Sequence, residues 1–337
     1  MSKEKDILVQ IRDLSVAYST RAGWVKAVSN VSMDIYPGEI LGLVGESGCG
    51  KSTLGKALMR LLPSGTEIAG QIIFDGEDIL TYNEEQLRDF RGQRVSMIFQ
   101  DPMTSLNPIQ RIGDHFLEAV SVHKSQVEKS KAMVSIQQLG ERLGILSRRL
   151  NEYPHQLSGG MRQRVMIGLG LVLNASLIIA DEATTSLDVI VEAKLVDQLR
   201  EIRDEFGLTI LMITHNIALV AEIADRVAVM YAGEIIEIGS CEKVFDDPLH
   251  PYTQGLMQSV PSIRIDLIEV LYKMAGEPPD LTHPPSGCRF HPRCPWVMKI
   301  CSSHEPDLIE VAPQRFVHCW LFQDHPEKER ATIKVRP

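Results

Sequence analysis

Residues 45–52 read Gly-Glu-Ser-Gly-Cys-Gly-Lys-Ser, with Thr53 behind them, and this is the spacing G-x-x-x-x-G-K-[ST]. Gly45, Gly48 and Gly50 permit backbone turns that a β-carbon would block, so successive N–H groups can converge on an anion. A helix expected from Lys51 adds its positive end to the same point. Lys51 then reaches the outer phosphates of a nucleotide, and the Ser52 hydroxyl can ligate Mg²⁺. Glu46, Ser47 and Thr53 complete the contacting stretch, while Cys49 reads as a small loop residue and not as a nucleophile. A plain glycine-rich strand–helix turn is the alternative, and the spacing and context weigh against it. The chemistry implied is nucleoside triphosphate binding.

Two further stretches carry chemistry. "SLIIADEATTSLD" (176–188) sets Asp181 and Glu182 at the end of an apolar run. A carboxylate at the first position can hold the Mg²⁺ shell, and one at the second can polarise an attacking water. "LSGGMRQR" (157–164) places the Ser158 hydroxyl and the bare backbone of Gly159 and Gly160 where a helix is expected to start. That is a second anion site. One nucleotide does not need two such cradles in one chain unless the second serves a neighbour.

These residues need a scaffold, and the pattern supplies one. Residues 7–19 and 28–39 alternate as strands, with Val31, Met33 and Ile35 on one face. Short apolar strands are expected at 39–45, 94–101, 176–181 and 208–215, and a strand with an Asp-Gly turn at 70–79. Residues 103–170 turn mostly helical. Leu195, Leu199, Ile202 and Phe206 step along one helix face. Strands alternating with helices predict an α/β fold with a largely parallel sheet covered on both faces. The 337 residues suffice for a large core, and a formal net charge of −9 excludes a broad basic surface for nucleic acid. The longest nearly apolar run, 166–180, is too short to span a membrane, and the charged N-terminus lacks a signal peptide's apolar segment. A cytosolic setting, where disulfides rarely persist, is therefore expected.

In this order the motifs resemble those of the ATP-binding cassette (ABC) family over roughly residues 7–245. The resemblance implies ATP and Mg²⁺ as ligands and a P-loop NTPase fold. Its expected parts are a RecA-like core, an antiparallel β subdomain and a helical subdomain over about 103–170. It implies that Ser158, Gly159 and Gly160 close over a nucleotide held by an opposing subunit. Gln100 takes the place of the residue linking Mg²⁺ to the helical subdomain. Asp188, with Ser186 and Leu187, takes the place of the D-loop, and His215 that of the switch histidine at the γ-phosphate. Tyr18 stands where an aromatic stacks on adenine, with Trp24 as its competitor. Ala183 departs from the proline usual after the acid pair, without loss of a catalytic group.

After about residue 245 the composition changes, with prolines at 248, 251, 261, 278, 279, 284 and 285 and four of the six cysteines. A domain boundary is expected there, with an extension over 246–325. "DDPLHPYTQGLMQSVPS" (246–262), "GCRFHPRCPWVMKIC" (287–301) and "HCW" (318–320) resemble the C-terminal extension of oligopeptide and dipeptide importer ATPases. On its own, His250-Pro251-Tyr252 would read as a helix-initiating turn. Cys288, Cys294, Cys301 and Cys319 are separated by five, six and seventeen residues, which matches neither the common zinc knuckle nor the plant-type ferredoxin spacing. The neighbouring Arg289, His291 and Arg293 suit thiolates carrying net negative charge. Some members of the resembled importer family hold a [4Fe–4S] cluster through four such cysteines. That cluster is the expected occupant; zinc, with His291, His304 or His318 substituting, and no metal at all are the alternatives. Its expected role is structural, apart from the ATP chemistry.

The resemblance further implies a peripheral ATPase on the cytoplasmic face of the cell membrane. Its partners would be a second related ATPase, two transmembrane permeases and an extracytoplasmic substrate-binding protein. Peptides are the expected cargo, with nickel, glutathione or oligosaccharide as alternatives. An ABC ATPase acting on ribosomes or DNA is a different class. It is disfavoured by the single phosphate loop, the single signature and the lack of a heptad run.

Overall fold

Alternating apolar residues make β1 (Val9–Thr20) and β2 (Gly23–Ile35) two-faced. Val9, Ile11, Leu14 and Val16 on one, and Val31, Met33 and Ile35 on the other, are all buried. The computed structural model describes residues 6–98, 106–123, 126–182, 199–259 and 274–324. β1 and β2 pair antiparallel, and β4 (Glu67–Phe74) and β5 (Glu77–Asp78) complete a four-stranded sheet in the order β2-β1-β4-β5. Asp75 and Gly76 both adopt left-handed backbone between β4 and β5, as a tight hairpin turn requires.

Continuous apolar runs build the second sheet. β3 (Ile40–Val44), β7 (Leu177–Asp181) and β8 (Thr209–Ile213) are buried at every residue, which fits strands covered on both faces. With β6 (Val95–Ile98) and β9 (Arg226–Tyr231) they run parallel in the order β6-β7-β8-β3-β9. β10 (Glu234–Ser240) then turns back antiparallel to β9.

Helix α1 (Lys51–Leu58) leaves the end of β3 through the phosphate loop and buries Leu54, Ala57 and Leu58. A capping box between Asn83 and Gln86 starts α2 (Glu84–Gln93). The expected helical region contains α3 (Ile112–His123), α4 (Lys129–Arg142) and α5 (Gly159–Leu171). They meet through Phe116, Ile136, Leu143 and Val165 in a core shared with the parallel sheet. Leu199 and Ile202 are buried as expected, while Leu195 lies outside the described residues.

The change of character near residue 245 is one of composition, and the sheet does not end there. After α6 (Ile217–Ile223), α7 (Cys241–Asp246), α8 (Pro251–Gln258) and α9 (Lys299–Ser303), the chain returns to the large sheet as β11 (Ile309–Ala312) and β12 (Arg315–Val317). β12 pairs with β10 through Glu237↔Val317 and Ile238↔Phe316, and β11 forms the new edge. Tyr231 of β9, Tyr252 of α8 and Phe290 form an aromatic wedge between cassette and tail, with ring centroids 4.6–5.6 Å apart.

Candidate active site

β3 delivers the chain into the phosphate loop, and two glycines there are required by contact. Gly45 has φ 154°, and a β-carbon on it would lie 2.1 Å from the Met230 carbonyl oxygen. Gly50 has φ 109°, and a β-carbon would come equally close, at 2.1 Å, to the Ala27 carbonyl oxygen. Neither can be exchanged without moving backbone. Gly50 caps α1 with no side-chain hydrogen bond, which leaves the N–H groups of the first turn to other acceptors. Ser47 and Gly48 are exposed at the loop's crest, and Cys49 is buried. Burial pushes the Cys49 thiol up, which makes it a poor nucleophile.

Lys51 is buried against the loop, its Nζ donating to the carbonyl oxygens of Gly45 at 2.8 Å and Glu46 at 2.9 Å. Ser52 Oγ donates to Asp181 Oδ1 at 2.9 Å, joining the start of α1 to the end of β7 across 129 positions. Burial is the main force pushing the Asp181 carboxyl up, with the Ser52 hydrogen bond opposing and the Glu182 charge reinforcing it. A cation between Ser52 and Asp181 would offset that burial. The hydroxyl–carboxylate pair has the hard oxygen donors that Mg²⁺ prefers.

Glu182 stands in left-handed backbone at φ 49°, and its N–H donates to the Ile213 carbonyl oxygen of β8 at 2.8 Å. A non-glycine residue held there is strained, and the parallel β7–β8 pairing holds it. The turn aims its carboxylate at His215, whose Nδ1 lies 3.6 Å from Glu182 Oε1. Tyr18 OH donates to Thr53 Oγ1 at 3.1 Å, which brings β1 to the loop; Trp24 is 43% exposed further along the hairpin. Lys51, Ser52, Thr53, Tyr18, Asp181, Glu182 and His215 therefore gather around one loop. Gln100 and Asp188 lie outside the described residues.

The signature stretch is organised but stands apart. Ser158 caps α5, its Oγ accepting from the Met161 N–H at 3.4 Å, and Ser158 and Gly159 are exposed. Among the described residues no hydrogen bond joins Ser158, Gly159 or Gly160 to the phosphate loop of the same chain. An exposed, capped helix start is suited to an anion brought by another surface.

In the tail, all four cysteines are free thiols. The Cys288 N–H donates to the Cys301 carbonyl oxygen at 2.8 Å. Burial, with the other thiols contributing, pushes Cys288 up to about 12 and Cys294 to about 11, and raises Cys319 as well. The expectation that Arg289 and Arg293 attend these thiols is corrected. Arg289 pairs with the buried Glu234, whose charge needs a counter-ion there, and donates to the Ala232 carbonyl oxygen and Ser29 Oγ. Arg293 pairs with Glu46, 247 positions away in the phosphate loop. His291 Nδ1 faces the Cys288 carbonyl oxygen at 2.9 Å and not a sulfur.

Residues 28–185 match the ABC transporter family, and residues 236–301 match the oligopeptide/dipeptide transporter C-terminal region. The oligopeptide transport ATP-binding protein OppD of Escherichia coli is 44% identical over 94% of this chain and 94% of its own. The dipeptide transport ATP-binding protein DppD of Bacillus subtilis is 42% identical over 95% of this chain and 96% of its own. The chain belongs to the ABC transporter ATPase family. Among solved structures, cbiO1 of Clostridium perfringens superimposes with a TM-score of 0.62 at 28% identity, over 72% of this chain and 92% of that one. The dimeric bacterial cassette MJ0796 shares the fold, with a TM-score of 0.61 at 24% identity over 69% of this chain and 98% of that one. This ABC ATPase has no helix among its described residues long and apolar enough to cross a membrane.

Sequence reasoning passed over two residues at the loop of this ATPase. Tyr252 OH accepts the Glu46 N–H at 3.0 Å, and Arg293 holds the Glu46 carboxylate. His250-Pro251-Tyr252 is the helix-initiating turn that its residue types suggest, with His250 Nδ1 accepting the Tyr252 N–H at 3.0 Å. The same turn also carries a ring to the loop, and no local spacing announces a contact 206 positions away.

Proposed function

We propose that this ATPase energises the import of di- or oligopeptides through a membrane transporter, as one of two related ATPase subunits docked on two permeases. A substrate-binding protein outside the membrane delivers the cargo, and this chain sits peripherally on the cytoplasmic face. The observation that carries the catalytic part is the gathering of Ser52, Asp181, Glu182 and His215 at the end of neighbouring strands beside the phosphate loop. The peptide class rests on the matched tail and on relatives named for oligopeptide and dipeptide transport.

In this reading Gly45–Thr53 cradle the ATP phosphates and Tyr18 stacks on adenine. Ser52, Asp181 and Gln100 hold Mg²⁺, Glu182 orients the water, and His215 contacts the γ-phosphate. Ser158, Gly159, Gly160 and Asp188 serve the nucleotide of the opposing subunit. Domain limits of 7–245 and 246–325 go with it. Reconstitution with the permeases and binding protein tests the function. Labelled peptide should accumulate in an ATP-dependent way, and nickel, glutathione and oligosaccharide should not. Uptake of one of those three instead of peptide would overturn the cargo assignment.

For the four thiols the reading is a [4Fe–4S] cluster held by Cys288, Cys294, Cys301 and Cys319. The four thiols lie close enough for their charges to influence one another, which suits ligands of a single centre. In a four-thiolate zinc site, bonds of about 2.3 Å would set the sulfurs roughly 3.8 Å apart. No three of these sulfurs lie within 4.8 Å of one another, a wider spread than a four-thiolate zinc site has. When bound, the cluster would supply cross-linking to a proline-rich segment with little core of its own.

A further inference from the structure

Glu46 is an anomaly: an acid inside a loop that gathers N–H groups for phosphates. Its carboxylate would repel the anion that the loop is shaped to bind, and solvent weakens such repulsion without removing it. Arg293 answers this charge with a two-pronged contact, Nη1 to Oε2 at 2.8 Å and Nη2 to Oε1 at 3.0 Å. A guanidinium is suited to that geometry, since its planar fork matches a carboxylate.

The arginine is itself held in place. Its Nε donates to the Ala275 carbonyl oxygen at 3.0 Å, and Nη1 also reaches Tyr231 OH at 3.3 Å. The guanidinium lies 5.7 Å from the centre of the Tyr231 ring. Its side chain is 5% exposed, against 27% for Glu46, so the arginine is the fixed partner and the loop residue the one being fixed. It belongs to the single turn His291–Arg293 directly before Cys294, whose N–H closes on the His291 carbonyl oxygen. Tyr252 OH takes the Glu46 N–H, and Lys51 Nζ donates to the Glu46 carbonyl oxygen. A shift of Glu46 is therefore felt at the lysine.

We propose that Arg293, presented by the four-cysteine tail, is a positioning residue for the phosphate loop: it neutralises and fixes Glu46 so that the loop accepts nucleotide phosphates. The proposal rests on residues 45–52 being the ATP cradle. It gives the tail a second task beside its own folding, because whatever sets the turn before Cys294 also sets Glu46.

The test measures KM for MgATP and kcat in the assembled transporter. Arg293→Gln leaves an unpaired carboxylate in the loop and should raise KM about tenfold with kcat changed less than about twofold. Adding Glu46→Gln to it removes that charge and should bring KM back to within about threefold of wild type. A residue needed only for folding would show no such recovery. Should Arg293→Gln fail to fold, Arg293→Lys decides: it should raise KM in the native background and leave it unchanged when Glu46→Gln is present. Wild-type KM in the arginine variants, or no recovery on adding Glu46→Gln, overturns the proposal. Lys51→Ala separates the two readings. Loss of MgATP binding there upholds the cradle whatever Arg293 does; retained binding sinks the cradle and the proposal with it.

Discussion

His215 Nδ1 lies 3.6 Å from Glu182 Oε1, where the adjacent strands β7 and β8 end together. Two features produce this contact. The strands are in parallel register, with Asp181 opposite Ile213, and the Glu182 N–H is tied to the Ile213 carbonyl oxygen. Glu182 then turns through left-handed backbone, which separates its side chain from that of Asp181. Asp181 faces Ser52, and Glu182 faces His215. Two consecutive acids thus serve different neighbours.

From this division, Glu182→Gln should leave ATP binding intact while hydrolysis falls by ~10²–10⁴, the usual worth of a positioned general base. The ATP-bound pair of subunits should also persist longer. Single-turnover ATPase of the assembled complex checks it, and a rate within a few-fold of wild type would remove Glu182 from this role.

The exposed Ser158 cap and the buried Lys51 lead to a prediction about pairing. Lys51→Ala and Ser158→Ala disable different halves of a composite site if that site forms between two subunits. Introduced separately into the two ATPases of one complex, so that both lesions fall in the same composite site, they should leave the other site intact and roughly half the activity. Placed together in one ATPase they should damage both sites. Equal activity in the two arrangements, or full activity in a strictly monomeric ATP-bound chain, would contradict the pairing.

How far the sequence led depends on the range of the interaction. The phosphate loop, the strands around it and the α5 cap are local: glycine placement, apolar runs and a serine before two glycines announce them. The left-handed turn at Glu182 was not legible, because β7–β8 pairing imposes it on an ordinary residue. The use of Arg293 was misread for a related reason. Beside two cysteines an arginine looks like their counter-charge, and only the folded chain shows that it reaches Glu46. The return of the tail to the large sheet was equally hidden, since β12 is three residues long and pairs with a strand about eighty positions earlier.

The four thiols predict a coloured protein. Anaerobic purification should give broad visible absorption, with about four iron atoms per chain and zinc well below stoichiometric. Cys319→Ser should lose the colour and lower the stability of the tail, read as faster proteolysis after residue 246. Stoichiometric zinc in a colourless protein, or neither metal, would show that these thiols are not cluster ligands.

His250 provides the pH dependence. It is fully buried, and burial, reinforced by His318, pulls its pKa down to about 3. Its Nδ1 accepts the Tyr252 N–H, and its own backbone N–H donates to Glu237 Oε2 at 2.8 Å, so the folded state uses the neutral ring. In the unfolded chain the imidazole titrates near its ordinary 6.5. Between these values the unfolded state binds the extra proton, so stability is fully present above about pH 6.5 and drains away as pH falls toward 3. From pH 7 to 5 the loss from this one group is about 2 kcal/mol. Neighbouring groups titrate too: burial lowers His318 and raises Glu237, with opposite consequences for stability. The His250 share is isolated by His250→Asn, which retains an acceptor for the Tyr252 N–H without the titration. Denaturant melts at pH 7 and pH 5 should show a smaller drop in the variant by that amount, whatever its stability at neutral pH. An identical drop in both proteins would mean that His250 is not held neutral in the fold.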